Sequence, residues 1–195
     1  MPANPKSVLL VHGIFDTGSI FKKLSAFLQS HGWETCVVDL SPCYGLAPIP
    51  MYALQLQAAI RRLKPQHLVG FSMGGIVCRY YLQKMEGHKN IRSLVTIGAP
   101  HQGSWASWLY PVPAAWQMRP GSPLLRELKS SIDIFRKVQH TFIWTPYDFM
   151  VYPADNSRCT EYGNEIRVPA ESHGCLLVHP EVHSNVLAAL DSAVD

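Results

Sequence analysis

Several things are missing from this chain, and each absence removes a class of function. No apolar run approaches the about 20 residues that a bilayer-spanning helix requires. The opening "MPANPKS" lacks the charged and apolar regions of a signal peptide. A cytoplasmic protein is therefore expected, with a secreted one whose signal has been removed as the alternative. Blocks of basic charge are also absent: a net charge of +3 comes from scattered Lys and Arg. Nothing forms the stripe that neutralises a phosphate backbone, so no nucleic-acid partner is expected. The five cysteines (Cys36, Cys43, Cys78, Cys159, Cys175) include no C-x-x-C pair and are odd in number. Buried thiols are the expectation, and a Cys36–Cys43 bridge in an oxidising compartment is the alternative. No repeat, low-complexity tract or internal linker divides the chain, which reads as one domain over residues 1–195.

What the chain does have is an alternation of two periodicities. "SVLLVHG" (7–13) is a continuous apolar run closed by glycine, the pattern of a strand covered on both faces. Ile20, Phe21, Leu24, Phe27 and Leu28 then recur at helical spacing, with Ser19 as a candidate cap and His31-Gly32 as the stop. "ETCVVDL" (34–40) predicts the next strand. A helix over roughly 51–63 follows a proline-rich connection, and "HLVGFS" repeats the buried-strand pattern before a helix carrying Ile76, Val77, Tyr80, Tyr81 and Met85. "NIRSLVTIGAP", "HTFIWTP" and "NEIRVP" supply three more strands, and a helix begins at Pro180. Strands separated mostly by helices predict a compact α/β fold: a mainly parallel, about six-stranded sheet with helices on both faces and no separate cap domain.

Ligands in such sheets bind beyond the carboxyl ends of the strands. There, Gly70-Phe71-Ser72-Met73-Gly74 fits G-x-S-x-G, in which serine occupies a strained strand-to-helix turn that projects its hydroxyl from the sheet. The apolar strand before it and the amphipathic helix after it are the context that motif requires. A hydroxyl becomes a nucleophile only when a base takes its proton and a third group orients the base. His173 directly follows the last strand in "VPAESHG", whereas His179 precedes Pro180 as a helix cap and His183 falls inside the helix, both as surface or capping groups. Asp148 lies just past "TFIW" in a proline-bounded loop; Asp155, farther along, is its rival. The order Ser72, Asp148, His173 is the one a triad takes on an α/β-hydrolase fold. Oxyanion donors are expected from the amide of Met73 and from the loop "HGIFDTG", where Ile14 is chosen and Phe15 is the alternative. His12 precedes the loop glycine and is expected to shape that loop by hydrogen bonding.

These segments resemble the small bacterial lipases and esterases of the α/β-hydrolase fold, of the minimal lidless triacylglycerol lipase type. "VLLVHGIFDTG" resembles the family's oxyanion segment, "LVGFSMGGIVCRYYL" its nucleophile segment, "YDFMVYPADNS" its acid loop and "SHGCLLVHPEV" its histidine loop. The resemblance implies an esterase or lipase that uses Ser72, Asp148 and His173, with the Ile14 and Met73 amides as oxyanion hole and no cofactor. Where the family often has glycine before its histidine, this chain has Ser172.

Around the serine, "WASWLYPVPAAWQMR" (105–119) carries Trp105, Trp108, Tyr110 and Trp116. It reads either as an acyl-chain groove touching a lipid interface or as helix-to-core packing. Phe15, Met73, Leu46, Ile49 and Val151 are candidates to extend an apolar pocket, so the substrate-binding set is Phe15, Trp105, Trp108 and Val151. No cationic cluster near these loops calls for an anionic substrate, and a neutral carboxylic ester is expected. His173, His179, Glu181 and His183 lack a zinc-protease spacing, and no metal is expected. The expected activity is a serine carboxylic-ester hydrolase working through an acyl-enzyme on Ser72. The alternatives are an acyltransferase with the same triad, or a catalytically silent lipid-binding protein of the same fold.

Overall fold

The structure, a computed structural model, describes residues 6–159 and 162–194. Six parallel strands form one sheet: β1 (Ser7–Val11), β2 (Glu34–Val38), β3 (His67–Phe71), β4 (Ser93–Ile97), β5 (Gln139–Trp144) and β6 (Asn164–Arg167). Their order is β2-β1-β3-β4-β5-β6, so the chain runs to one edge and then reverses to build outward from β1 to the other. That reversal puts β1 beside β3, in the register Val11 to Gly70, and brings the loop after β1 next to the turn after β3. The helices are α1 (Lys22–Ser30), α2 (Ile49–Leu63), α3 (Met73–Lys84), α4 (Pro113–Gln117), α5 (Pro123–Ser130), α6 (Ile132–Phe135) and α7 (Pro180–Asp191).

Alternation along the central strands builds two cores. Leu9 and Val11 of β1 face a layer with Leu68, Ile76, Val77 and Leu56. Val8 and Leu10 face the opposite layer with Phe21, Leu28, Val69, Val95, Val182 and Val186. Each such fully buried side chain contributes about 1.5–3 kcal/mol of transfer free energy, and the centres of β1 and β3 are accordingly apolar.

Several expectations are corrected. Three short helices, α4, α5 and α6, occupy the stretch between β4 and β5 where only an aromatic segment was anticipated. Pro113 and Pro123 start α4 and α5 in the first turn, where a missing N–H costs nothing. Ser19 does not cap α1; a tight turn over Gly18–Phe21 precedes the helix, and the Ser19 hydroxyl bonds that of Thr17 at 2.8 Å. Ile49 is fully buried in the core rather than in a pocket wall. His183 is buried, not superficial, and its Nε2–H donates to the Leu177 carbonyl at 2.8 Å. His179 caps α7 by accepting from the Glu181 amide. All five cysteines are free thiols, and Cys78 is the one that is fully buried. Among the described residues no helix is long and apolar enough to cross a membrane.

Candidate active site

Ser72 stands between β3 and α3 with φ +52° and ψ −123°, a region that non-glycine residues avoid. Such a backbone costs on the order of 1–3 kcal/mol and persists only where its surroundings enforce it. Here the Ser72 amide donates to the Ile97 carbonyl of β4 at 2.9 Å, and the Ser72 carbonyl accepts from Gly75 at 3.0 Å. Two glycines make the turn sterically possible. A Cβ at position 70 would lie 2.6 Å from the Gly75 Cα, and one at position 74 would collide with the Val11 carbonyl oxygen. The flanking glycines are thus dictated by the approach of α3 to β1 and β3.

Asp148 follows β5 and is 3% exposed. Its Oδ1 accepts from the Met150 and Val151 amides at 2.9 and 2.8 Å, and its Oδ2 accepts from His173 Nδ1 at 2.6 Å. Three donors satisfy a buried carboxylate and fix its orientation. The bond also assigns the tautomer: with Nδ1 protonated, Nε2 is the basic nitrogen of His173. The imidazole packs on Phe71, the residue before the serine, with ring centroids 4.7 Å apart. It also lies against Gly98, whose φ is +56° and where an added Cβ would stand 3.1 Å from both Nδ1 and Cε1 of the ring. Among the described residues no hydrogen bond links Ser72 Oγ to the ring. Asp155 is exposed and its nearest cation is Arg158 at 3.8 Å, away from this cluster.

The loop after β1 closes the site from the other side. His12 Nε2 accepts from the Leu40 amide at 2.9 Å while Nδ1–H donates to the Gly13 carbonyl at 2.8 Å, so this imidazole shapes the loop and is not the base. Asp16 is in the same loop. Burial raises its carboxyl above the ordinary aspartate value, and His12 and His173 partly oppose that rise. Met73 is the first residue of α3, where the amide has no intrahelical acceptor. Among the described residues neither its N–H nor that of Ile14 meets an acceptor, and Ile14 and Ser72 line the same cavity.

That cavity is narrow, about 30 Å³, and is further walled by Ser107, Tyr110, Met150 and Val151. It has room for little more than one or two waters. Of the expected substrate residues, Val151 is buried in its wall, whereas Phe15, Trp105 and Trp108 are exposed around it. Phe15 packs on Tyr110 with centroids 4.9 Å apart, and the Arg119 guanidinium lies 4.0 Å over the Trp108 ring. The tryptophans of the segment 105–119 are therefore at the surface, while Ala114, Ala115 and Met118 of the same segment pack into the core.

Sequence reasoning missed four positions. Gly98 makes room for the imidazole. Thr145 donates from Oγ1 to the Ala170 carbonyl at 2.6 Å and joins the acid loop to the histidine loop. Ser104 donates to the Met150 carbonyl at 2.8 Å and accepts from Tyr152, pinning the acid loop. Asp16 is the fourth. Only Gly98 carried a legible signal, a glycine directly after a buried strand on the ligand-binding edge.

A family profile described as Palmitoyl protein thioesterase matches residues 7–150. Lysosomal thioesterase PPT2 of Mus musculus is 29% identical over 131 residues, covering 57% of this chain and 43% of that protein. The chain thus spans about two fifths of the length of the curated relatives it first matches. In structure it is similar to Aspergillus fumigatus lipase B, with TM-score 0.81 and 17% identity over 97% of this chain and 54% of that one. It is also similar to the mature form of Bacillus licheniformis lipase BlEst2, with TM-score 0.76 and 17% identity over 97% and 93% of the two chains. The fold is that of α/β-hydrolase lipases and esterases. The cytoplasmic location expected from the opening residues is overturned: the first curated relatives are named as lysosomal thioesterases. Residues 1–5, on which that expectation partly rested, lie outside the described residues.

Proposed function

This chain belongs to the palmitoyl protein thioesterase family, and from that premise we propose that it is a serine-dependent acyl hydrolase acting on fatty-acyl thioesters or esters through an acyl-enzyme on Ser72. The Asp148–His173 bond carries the reading: it holds Nδ1 protonated and leaves Nε2 free to accept a proton, next to a serine held in a strained backbone. In the first step the Ser72 hydroxyl turns toward Nε2, loses its proton to that nitrogen and attacks the acyl carbonyl. The Ile14 and Met73 amides receive the developing oxyanion, a donor pair of which each member is typically worth about 3–4 kcal/mol. The C–S or C–O bond then breaks, His173 returns the proton to the departing thiol or alcohol, and water repeats the sequence to free the acid and Ser72.

The sequence alone favoured a carboxylic ester, and the thioester enters through the names of the relatives. The same machinery serves both. A thiol, with a pKa near ~8.5, leaves with less help from the imidazolium than an alkoxide requires. The cavity at Ser72 is too small to enclose an acyl chain, so the chain is read as running out over the aromatic rim.

The test uses a serine-reactive phosphonate together with matched long-chain acyl thioesters and esters. Ser72 is expected to take the label, and Ser72→Ala to abolish both labelling and turnover. Asp148→Asn is expected to lower kcat by about 10³- to 10⁴-fold with the fold retained, because the amide permits the wrong tautomer. Unlabelled, folded wild-type protein would refute the reading.

A further inference from the structure

The cavity at Ser72 is not the roomiest in the molecule. The loop 100–104 contributes Pro100 and Ser104 to it, but His101 and Gln102 line a separate cleft of about 600 Å³. This volume falls within the about 300–1,000 Å³ of ordinary ligand sites. Arg79, Arg126, Lys129 and Arg158 line it, and among the described residues Asp155 is its one carboxylate. Arg158 is already engaged by Glu165 at 2.7 Å and Asp155 at 3.8 Å. The other three have no carboxylate partner among the described residues.

Arg79 is the decisive member. It projects from α3 and is 3% exposed. Its Nε donates to Gln83 Oε1 at 2.8 Å, its Nη1 donates to the His101 carbonyl at 3.1 Å, and the guanidinium lies 5.2 Å from the Phe135 ring centroid. All of these partners are neutral. A guanidinium this deeply buried without a counter-charge is costly, and an anion in the cleft removes that cost. A second feature points the same way. His101 is buried and shares a hydrogen bond with Thr96 through Nε2 at 3.0 Å, but its buried Nδ1 has no partner among the described residues. In the tautomer in which the Thr96 hydroxyl donates to Nε2, Nδ1 offers a proton to an acceptor.

We propose that this cleft binds a multiply charged phosphate group, gripped from its floor by Arg79 and from its rim by Arg126 and Lys129. Three unmatched cations exceed what a monocarboxylate neutralises, and a guanidinium fork matches phosphate oxygens in pairs. Leu125, Ile132 and Tyr162 give the remaining wall to a small organic body. Phosphate of this kind is carried by a soluble phosphoryl compound or by a lipid headgroup.

Two probes separate those sources: pyrophosphate, followed by titration calorimetry, and equimolar phosphatidylcholine–phosphatidic acid vesicles, followed by flotation against phosphatidylcholine alone. The variant is Arg126→Glu with Lys129→Glu, both exposed on α5 and outside the proposed hydrolytic machinery. Pyrophosphate binding that weakens at least tenfold in the variant and falls with added salt, at unchanged ester turnover, supports the proposal with a soluble ligand. Binding of phosphatidic-acid vesicles alone, lost in the same variant, supports it with a headgroup. Absence of both bindings in the wild type, or equal binding by the variant, overturns it. Arg79→Lys, which keeps the charge and removes the fork, is expected to weaken pyrophosphate binding while leaving vesicle-free hydrolysis intact.

Discussion

Gly98 and His173 meet face to face: the left-handed backbone at position 98, φ +56°, presents no side chain where the imidazole lies, and a methyl group there would sit 3.1 Å from two ring atoms. Gly98→Ala therefore combines a strained φ with a push on the ring. Displacing a catalytic group by about 1 Å costs up to about 10²-fold in rate, so kcat is expected to drop by about 10- to 100-fold. Stability should fall by about 1–2 kcal/mol, the usual penalty for a left-handed alanine. Phosphonate labelling of Ser72 should slow in parallel with turnover. A variant with normal labelling would show that the ring does not depend on Gly98.

The central strands and the nucleophile elbow were legible in the sequence because one local signal encodes each. An apolar run such as "HLVGF" has no other stable home than a covered strand, and the glycines around Ser72 mark the close approach of α3. Asp148 and His173 were legible through their places directly after strands. Thr145, Ser104 and Asp16 were not, because what they do depends on partners such as Ala170 and Met150 that are remote in sequence. The helices α4 to α6 escaped for a related reason. They are short, α4 and α6 too short to show a period, and their stability comes from packing Ala114, Leu125, Leu128 and Phe135 into the core rather than from helix propensity. The basic cleft was also hidden, since Arg79, Arg126 and Arg158 are scattered in the chain and converge only when α3, α5 and the loop after β5 pack together.

The aromatic rim alternates with the wall of the serine cavity. Ala106, Ser107 and Met150 line the cavity, and their neighbours Trp105, Trp108 and Phe149 point outward, Phe149 with 78% of its surface exposed. Under the proposed function, apolar side chains in that position would serve a substrate presented at an interface and contribute little to a small soluble one. Trp108→Ser and Phe149→Ser are each expected to reduce turnover of a long-chain acyl substrate in vesicles by roughly tenfold, equivalent to about 55 Å² of lost apolar contact. The kcat/KM for a short soluble ester should stay within about twofold. Equal losses on both substrates would assign these rings to structure instead.

Two buried imidazoles make stability dependent on acid. Burial lowers His140 from its ordinary 6.5 to about 4, a drop that the Nε2–H bond to the Phe135 carbonyl opposes and the Arg79 charge reinforces. Burial likewise lowers His101 well below its ordinary value, with Arg79 and His140 acting in the same direction. Both rings are neutral in the folded protein at pH 7. As pH falls through 6.5 the unfolded chain takes up protons that the folded chain refuses, so the equilibrium shifts toward unfolding until the folded His140 itself titrates near 4. The stabilisation is fully present above the unfolded value and is lost between the two. His140 alone accounts for a loss on the order of 3 kcal/mol over that window. Urea midpoints measured at several pH values should decline across it, and His140→Gln should flatten the decline while lowering stability at neutral pH through the altered bond to Phe135. A wild-type curve that stays level from pH 7 to pH 4 would mean that these imidazoles accept protons inside the fold, which their burial beside Arg79 forbids.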